Sequence, residues 1–232
     1  MFTRLVTALC VLSCSAAVRA DLVTSANFIA NGTFDSGLSD WSTATNNPST
    51  NWSTDTGGLR SLGFGPFAQT STTLGNTFQR LFQEFTLPSF IIDSATLTWR
   101  DRFSSSVPFV DEAHEYRVVL QRVIAGTPDG SPFEVFSSVG SPTFVLPTNR
   151  GIAGNVTAFV LANLGQDIRL SYESLDSGSG ILASVDNVSF VTTFDTSSVP
   201  EPSSLVLASL TAFGFAYSRR RKNTRARSAD AG

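Results

Sequence analysis

Short segments in which apolar and polar residues alternate set the narrowest limit on how this chain can fold. The clearest segment runs from Thr96 to Phe103 and places Leu97, Trp99 and Phe103 on the same side of an extended chain. Asp101 falls on that apolar side and interrupts the pattern. Further candidate segments occupy 78–87, 116–123, 133–139, 156–161, 168–173 and 181–192. A repeat of two residues is typical of strands with one buried side.

The connections between these segments favour an antiparallel arrangement. They are rich in Gly, Pro, Asn and Asp, the residues that form tight turns. Convincing helical periodicity occurs only near the two ends of the chain. The sequence therefore predicts an all-β fold, an antiparallel β-sandwich. The polar stretch Ser42–Gly58 is predicted to be a long loop that holds one short strand.

The charge balance of the central region argues against several classes of function. Between Asp21 and Asp195 there are 8 arginines, no lysine and 17 acidic residues, so the formal net charge is 8 − 17 = −9. An acidic surface disfavours nucleic acid and anionic membranes, because their phosphates need basic partners. The absence of lysine excludes Schiff-base chemistry in this region.

The N-terminal residues 1–20 have the composition of a signal peptide. Arg4 supplies a positive start, Leu5–Ala17 is apolar, and Ala20 provides a small residue for cleavage by signal peptidase before Asp21. Both cysteines, Cys10 and Cys14, lie inside this segment. The mature chain is therefore expected to contain no disulfide and no cysteine nucleophile.

Three features follow one another near the C-terminus: a turn rich in proline, an uncharged apolar run and a basic cluster. They comprise Val199, Pro200, Glu201 and Pro202, then Leu205–Tyr217, then Arg219, Arg220, Arg221 and Lys222. The 13 apolar residues fall short of the roughly 20 that span a bilayer comfortably. Together these features resemble the PEP-CTERM sorting signal of exported bacterial proteins. The additional tail Asn223–Gly232 departs from that pattern.

The sorting resemblance implies a route rather than an activity. It implies transient membrane insertion of the C-terminal helix, cleavage by an exosortase-type membrane protease, and release to the cell surface or extracellular matrix. An ordinary single-pass anchor is the alternative. The chain is accordingly divided into a signal peptide (1–20), a β-sandwich domain (21–196) and a sorting signal (197–232).

Four motifs in the central region carry a second resemblance. They are N-G-T-F-D…W at Asn31–Trp41, Q-E-F-T-L-P at Gln83–Pro88, L-G-Q-D-I-R-L-S-Y at Leu164–Tyr172 and V-D-N-V-S-F at Val185–Phe190. In this order they resemble jelly-roll domains of the carbohydrate-binding-module, galactose-binding-like type. The resemblance implies a structural Ca²⁺ ion with Asp35 and Asp186 as oxygen donors. The alternative is that both aspartates only cap turns.

Candidates for catalysis are few. His114 is the single histidine, so a Ser-His-Asp hydrolase would have to use it, and no G-x-S-x-G motif is present. A glycosidase pair of carboxylates could combine Asp101 with Glu84 or Glu173. The alternative is that Asp101 bonds to a neighbouring arginine or to the backbone. We expect the protein not to be an enzyme.

Trp52 is the sequence's best candidate for sugar binding. It is the one tryptophan outside an apolar alternation, and sugars often stack on exposed aromatic rings. The alternative is a loop residue packed onto the sheet. The sequence thus predicts an exported, non-catalytic protein that binds or organises exopolysaccharide. An extracellular glycan hydrolase and a structural surface protein without a ligand remain the alternatives.

Overall fold

A computed structural model describes residues 22–56, 65–71, 76–141, 144–149, 156–178 and 180–195. The predicted signal peptide and the predicted C-terminal sorting helix lie outside these described residues. Among the described residues, no helix is long and apolar enough to cross a membrane.

Eleven strands and one helix make up the described part of the chain. The strands are β1 (Leu22–Thr24), β2 (Ser42–Thr45), β3 (Ser53–Asp55), β4 (Phe67–Ser71), β5 (Asn76–Thr86), β6 (Ser94–Ser105), β7 (Glu115–Ile124), β8 (Thr127–Ser137), β9 (Phe144–Asn149), β10 (Asp167–Ser177) and β11 (Ile181–Asp195). The helix is α1 (Val156–Ala162).

The strands form two antiparallel sheets. The six-stranded sheet has the order β3-β4-β11-β6-β9, with β1 also paired to β11, and the five-stranded sheet has the order β2-β5-β10-β7-β8. Strands β4 to β11 have the strand order of a jelly roll, β4-β11-β6-β9 in one sheet and β5-β10-β7-β8 in the other, so the predicted β-sandwich is confirmed. Sequence neighbours such as β5 and β6 therefore belong to different sheets.

The core explains the alternation seen in the sequence. Leu97, Trp99 and Phe103 of β6 are all buried. Asp101 on the same side is also fully buried, and its Oδ2 accepts a hydrogen bond of 2.8 Å from the indole N–H of Trp99. A buried carboxylate is tolerated where a donor reaches it. The interruption in the pattern is therefore a hydrogen-bonded pair within the core.

Two predictions of local structure are wrong. The segment 156–161, predicted as a strand, belongs to helix α1. Val156 and Val160 are one helical turn apart and both buried, and the Thr157 hydroxyl accepts a bond of 3.0 Å from the Ala95 amide. The β-branched residues suggested a strand, but their spacing of four suits a helix face. The stretch Ser42–Gly58 contains two short strands, β2 and β3, rather than one.

Candidate functional site

The outward side of the five-stranded sheet brings charged residues from four strands next to one another. The register of β5, β10 and β7 places alternate residues of these strands on the core side, where Leu81, Tyr172 and Val118 are buried. The intervening residues form what we call the charged face. Its members are Phe78, Arg80, Phe82, Glu84, Glu115, Arg117, Val119, Gln121, Glu134, Arg169, Ser171, Glu173 and Leu175.

A row of ion pairs crosses the middle of the charged face. Glu173 of β10 lies opposite Arg80 on one side and Arg117 on the other. The Arg80 Nε is 2.7 Å from Glu173 Oε1, and the Arg117 Nη2 is 2.8 Å from Glu173 Oε2. Both arginine side chains are 22% exposed, whereas that of Glu173 is 2% exposed. The arginines therefore shelter the carboxylate from solvent and remain partly exposed themselves.

Glu115 extends this row toward the edge strand β8. Its carboxylate accepts a hydrogen bond from the Ser137 hydroxyl, and Arg117 Nη1 lies 3.7 Å from its Oε2. Burial raises the pKa of Glu115, and the charges of Glu134 and Glu112 add to the rise, although the Ser137 hydroxyl and the Arg117 charge oppose it. Glu115 is fully buried and so cannot contact a bound ligand directly.

Two phenylalanine rings lie beneath arginines on the charged face. The guanidinium of Arg80 lies 4.8 Å from the ring centre of Phe78, and that of Arg169 lies 4.3 Å from the ring centre of Phe82. Arg169 Nε also donates to Glu84 Oε1 at 2.9 Å. Stacking and ion pairing hold each planar guanidinium in one orientation. The charged face therefore offers oriented N–H donors beside carboxylates and apolar rings.

The charged face is not predicted by the sequence. Its residues are the polar positions of alternating strands, a pattern that also describes an ordinary solvated surface. Only the pairing of β5, β10 and β7 places arginines and glutamates from distant segments side by side. The one signal available in the sequence was the occurrence of two phenylalanines, Phe78 and Phe82, among those polar positions. Both are half-buried in the structure.

Asp35 and Asp186 lie near each other, where the N-terminal turn meets β11. The Gly32 carbonyl accepts a hydrogen bond of 3.0 Å from the Val188 amide. A Cβ atom on Gly32 would lie 2.0 Å from the Val188 carbonyl oxygen, so only glycine permits this approach. A bulge between Asp186 and Ser189 interrupts the pairing of β11 with β6 at this point.

The electrostatics of Asp186 reflect its burial beside another acid. Burial raises the pKa of Asp186 to about 6; the Asn187 N–H and the Arg100 charge oppose the rise, and the Asp35 charge adds to it. Asp186 Oδ1 accepts the Asn187 N–H at 2.7 Å, and Asp35 Oδ2 accepts the Thr33 hydroxyl at 2.7 Å. Each carboxylate thus has a second oxygen outside these two bonds. No cluster of three or more His, Cys, Asp or Glu suited to a metal occurs among the described residues.

Trp52 does not lie on the surface. It is 3% exposed and belongs to the main hydrophobic core, so the prediction that it is an exposed sugar platform is wrong. The polar sequence around it suggested exposure. In the fold, however, Trp52 directly precedes β3, which pairs with β4 at the edge of the six-stranded sheet, and its ring packs inward.

The proposed carboxylate pair for glycoside cleavage is also not formed. Asp101 lies on the core side of β6 in the six-stranded sheet. Glu84 and Glu173 lie on the outward side of the five-stranded sheet. One observed donor to Asp101 is the indole N–H of Trp99, which the sequence did not suggest.

Comparison with known families identifies the C-terminal segment. The jelly-roll sandwich defines the class of fold, and residues 198–222 match the family described as the PEP-CTERM protein-sorting motif. The match covers the proline-rich segment, the apolar run and the basic cluster, which confirms the resemblance drawn from them. The motif indicates an exported, surface-associated protein.

Solved structures similar to this chain have low sequence identity. The enzymatically active domain of bacteriophage CBA120 tailspike protein 4 is 11% identical over 71% of this chain and 21% of that chain, with a TM-score of 0.42. TmCBM61 in complex with β-1,4-galactotriose is 12% identical over 72% and 98%, with a TM-score of 0.43. The family 11 carbohydrate-binding module from Clostridium thermocellum, in complex with a β-1,3-1,4-mixed-linked tetrasaccharide, is 13% identical over 74% and 94%, with a TM-score of 0.41. No curated protein matches the chain.

Proposed function

We propose that this exported protein binds polysaccharide on the charged face and does not cleave glycosidic bonds. The observation that carries the proposal is the pairing of oriented guanidinium groups with phenylalanine rings, Arg80 over Phe78 and Arg169 over Phe82. Sugar hydroxyls accept hydrogen bonds from guanidinium groups and donate to carboxylates. The C–H faces of a sugar ring pack on apolar rings. The charged face contains all three kinds of group.

The state of the glutamates supports binding rather than hydrolysis. Glycoside cleavage needs one carboxylic acid to donate a proton and a second carboxylate to act beside it. Both oxygens of Glu173 are engaged by arginines, and Glu84 is bonded to Arg169. Glu115, whose pKa is raised, is buried out of reach of a sugar. Glu173 and Glu115 are therefore poorly placed to act on a sugar as acid or base.

Replacing Arg80 with alanine tests the binding proposal. Glu173 keeps its bonds to Arg117, so the fold should tolerate the change. We expect retention in gels that contain soluble polysaccharides, among them galactan and mixed-linkage glucan, to weaken roughly 10- to 100-fold, since a charged hydrogen bond contributes about 1.5–3 kcal/mol.

Arg122→Ala is the matched control for Arg80→Ala. Arg122 lies on β7 outside the charged face and pairs with Asp129, so its loss should leave retention unchanged. If polysaccharide gels retained Arg80→Ala and Arg122→Ala equally, the charged face would not be the binding site. Failure of the unmodified full-length chain to bind any polysaccharide on a broad array would favour a structural surface protein without a ligand.

We further propose that the termini are processed during export. Signal peptidase would cleave before Asp21, and an exosortase-type protease would cleave near Val199–Pro202 while Leu205–Tyr217 is transiently inserted in the membrane. The match to the sorting motif supports this route. The apolar run is short for a permanent anchor, which also favours transient insertion.

A structural Ca²⁺ ion at Asp35 and Asp186 is a third proposal. Calcium binds hard oxygen ligands, and two carboxylates with backbone carbonyls would make a weak extracellular site. The donor chemistry fits, because the charge on Asp186 is poorly solvated and lies near a second negative charge, that of Asp35. A bound cation would offset both effects and hold the N-terminal turn against β11.

Chelation tests the calcium proposal. At a calcium concentration 100-fold above Kd, binding to the native state alone adds about 2.7 kcal/mol. We therefore expect EDTA to lower the Tm of the full-length chain by several degrees, and calcium to restore it. Asp186→Asn should abolish this dependence, whereas Asp167→Asn, at an exposed aspartate of β10, should preserve it. A Tm that is unchanged by both EDTA and added calcium would rule out a bound Ca²⁺ ion.

A further inference from the structure

A serine, the single histidine and an aspartate meet at one end of the sandwich. Ser105 ends β6, His114 directly precedes β7, and Asp176 lies near the end of β10. The Ser105 Oγ is 2.5 Å from His114 Nε2, and the His114 Nδ1 is 3.1 Å from Asp176 Oδ1. His114 and Asp176 are each 3% exposed. These contacts form a continuous chain from hydroxyl to imidazole to carboxylate.

The surroundings hold the imidazole and the carboxylate in place. The ring of Phe109 stacks on His114 with centres 5.2 Å apart and an angle of 20°. The carboxylate of Asp176 accepts the amides of Gly178 at 2.9 Å and Gly180 at 2.8 Å. A carboxylate beside Nδ1 assigns the imidazole proton to that nitrogen. Nε2 is then the acceptor for the Ser105 hydroxyl.

We propose that Ser105, His114 and Asp176 form a Ser-His-Asp triad that cleaves small carboxylic esters. A catalytic triad is recognised by its geometry and not by its position in the sequence. The absence of a G-x-S-x-G motif therefore does not exclude one. Ser105 is the nucleophile, His114 is the general base and acid, and Asp176 orients the imidazole. This activity is independent of glycan binding on the charged face.

The reaction balances without a cofactor. The Ser105 Oγ attacks the ester carbonyl carbon and its proton passes to His114 Nε2. The bond between that carbon and the alkoxide oxygen then breaks, and the alcohol leaves with the proton from Nε2. Water attacks the acyl-serine, loses a proton to Nε2 and releases the carboxylic acid, while Ser105 recovers its proton.

The surroundings of Ser105 limit the substrate class. Ser105 is half-buried, and the next three residues, Ser106, Val107 and Pro108, are exposed. An acyl group therefore approaches from the side of this segment, while the depth of His114 favours small groups such as acetyl esters. The Val107 amide donates to the Ser105 Oγ at 3.2 Å and helps to fix the position of the hydroxyl.

The test is labelling of the full-length chain with a fluorophosphonate probe, followed by peptide mass mapping. We expect one adduct per chain, on Ser105, and none in Ser105→Ala. His114→Gln should slow labelling about 10²- to 10⁴-fold, the usual contribution of a general base. The unmodified chain should also hydrolyse 4-nitrophenyl acetate, and Ser105→Ala should lose that activity.

Ser104→Ala is the matched control, because Ser104 is the adjacent residue of β6 and its side chain points to the other side of the sheet. It should label at the unmodified rate. A chain that melts cooperatively but forms no adduct on Ser105 would overturn the proposal and leave the three residues as a structural network. Equal ester hydrolysis by Ser105→Ala and the unmodified chain would overturn it as well.

Discussion

Trp52→Ala is expected to lower the free energy of unfolding by about 3–5 kcal/mol, the usual cost of truncating a buried large aromatic side chain. Trp52 is 3% exposed and lies in the main core, so its removal leaves a cavity beneath the edge of the six-stranded sheet. Urea denaturation of the full-length chain would measure the loss. Trp99→Ala should cost a similar amount and would also leave Asp101 without its indole donor.

Trp52→Phe is the matched comparison. The indole N–H of Trp52 has no hydrogen-bond partner in the described part of the chain, so phenylalanine removes a buried donor while keeping most of the apolar area. We expect its cost to be clearly smaller than that of alanine. If Trp52→Ala left stability unchanged but weakened glycan retention, Trp52 would be a sugar-binding residue. The assignment of Trp52 to the core would then be wrong.

The second large effect is the loss of both ends of the chain during export. Intact mass of the protein recovered from the producing bacterium should begin at Asp21 and should lack Leu205–Gly232. The expectation follows from the signal-peptide pattern and from the match of residues 198–222 to the sorting motif. Every released molecule should lack the tail, because release requires its cleavage.

Substitutions in the Pro-Glu-Pro segment distinguish sorting from permanent anchoring. Glu201→Ala combined with Pro202→Ala should leave the full tail on the chain and hold the protein in the membrane fraction. Mutation of a surface acid far from the motif, such as Asp129→Asn, should leave processing intact. Recovery of the unmodified protein with Leu205–Gly232 still attached would favour a permanent single-pass anchor.

Local pattern was enough to predict the fold class and the sorting motif. A repeat of two residues reports which side of a strand is buried, so the core positions Leu97, Trp99 and Phe103 could be read directly from the sequence. The sorting motif is contiguous, with its apolar run and basic cluster adjacent in the sequence. Such features depend on neighbours along the chain. The same local logic failed at 156–161, where β-branched residues suggested a strand and their spacing of four produced helix α1.

Pairing between distant segments decided the rest. The charged face exists because β10 lies between β5 and β7, which brings Arg80 and Arg117 to opposite sides of Glu173. Trp52 is buried although its local sequence is polar, since burial depends on what packs over a residue. Ser105 and Asp176 reach His114 across separations of 9 and 62 residues. The side of a strand on which a residue lies follows from its position in the local alternation. Its partners on other strands and in the other sheet are determined by the tertiary fold.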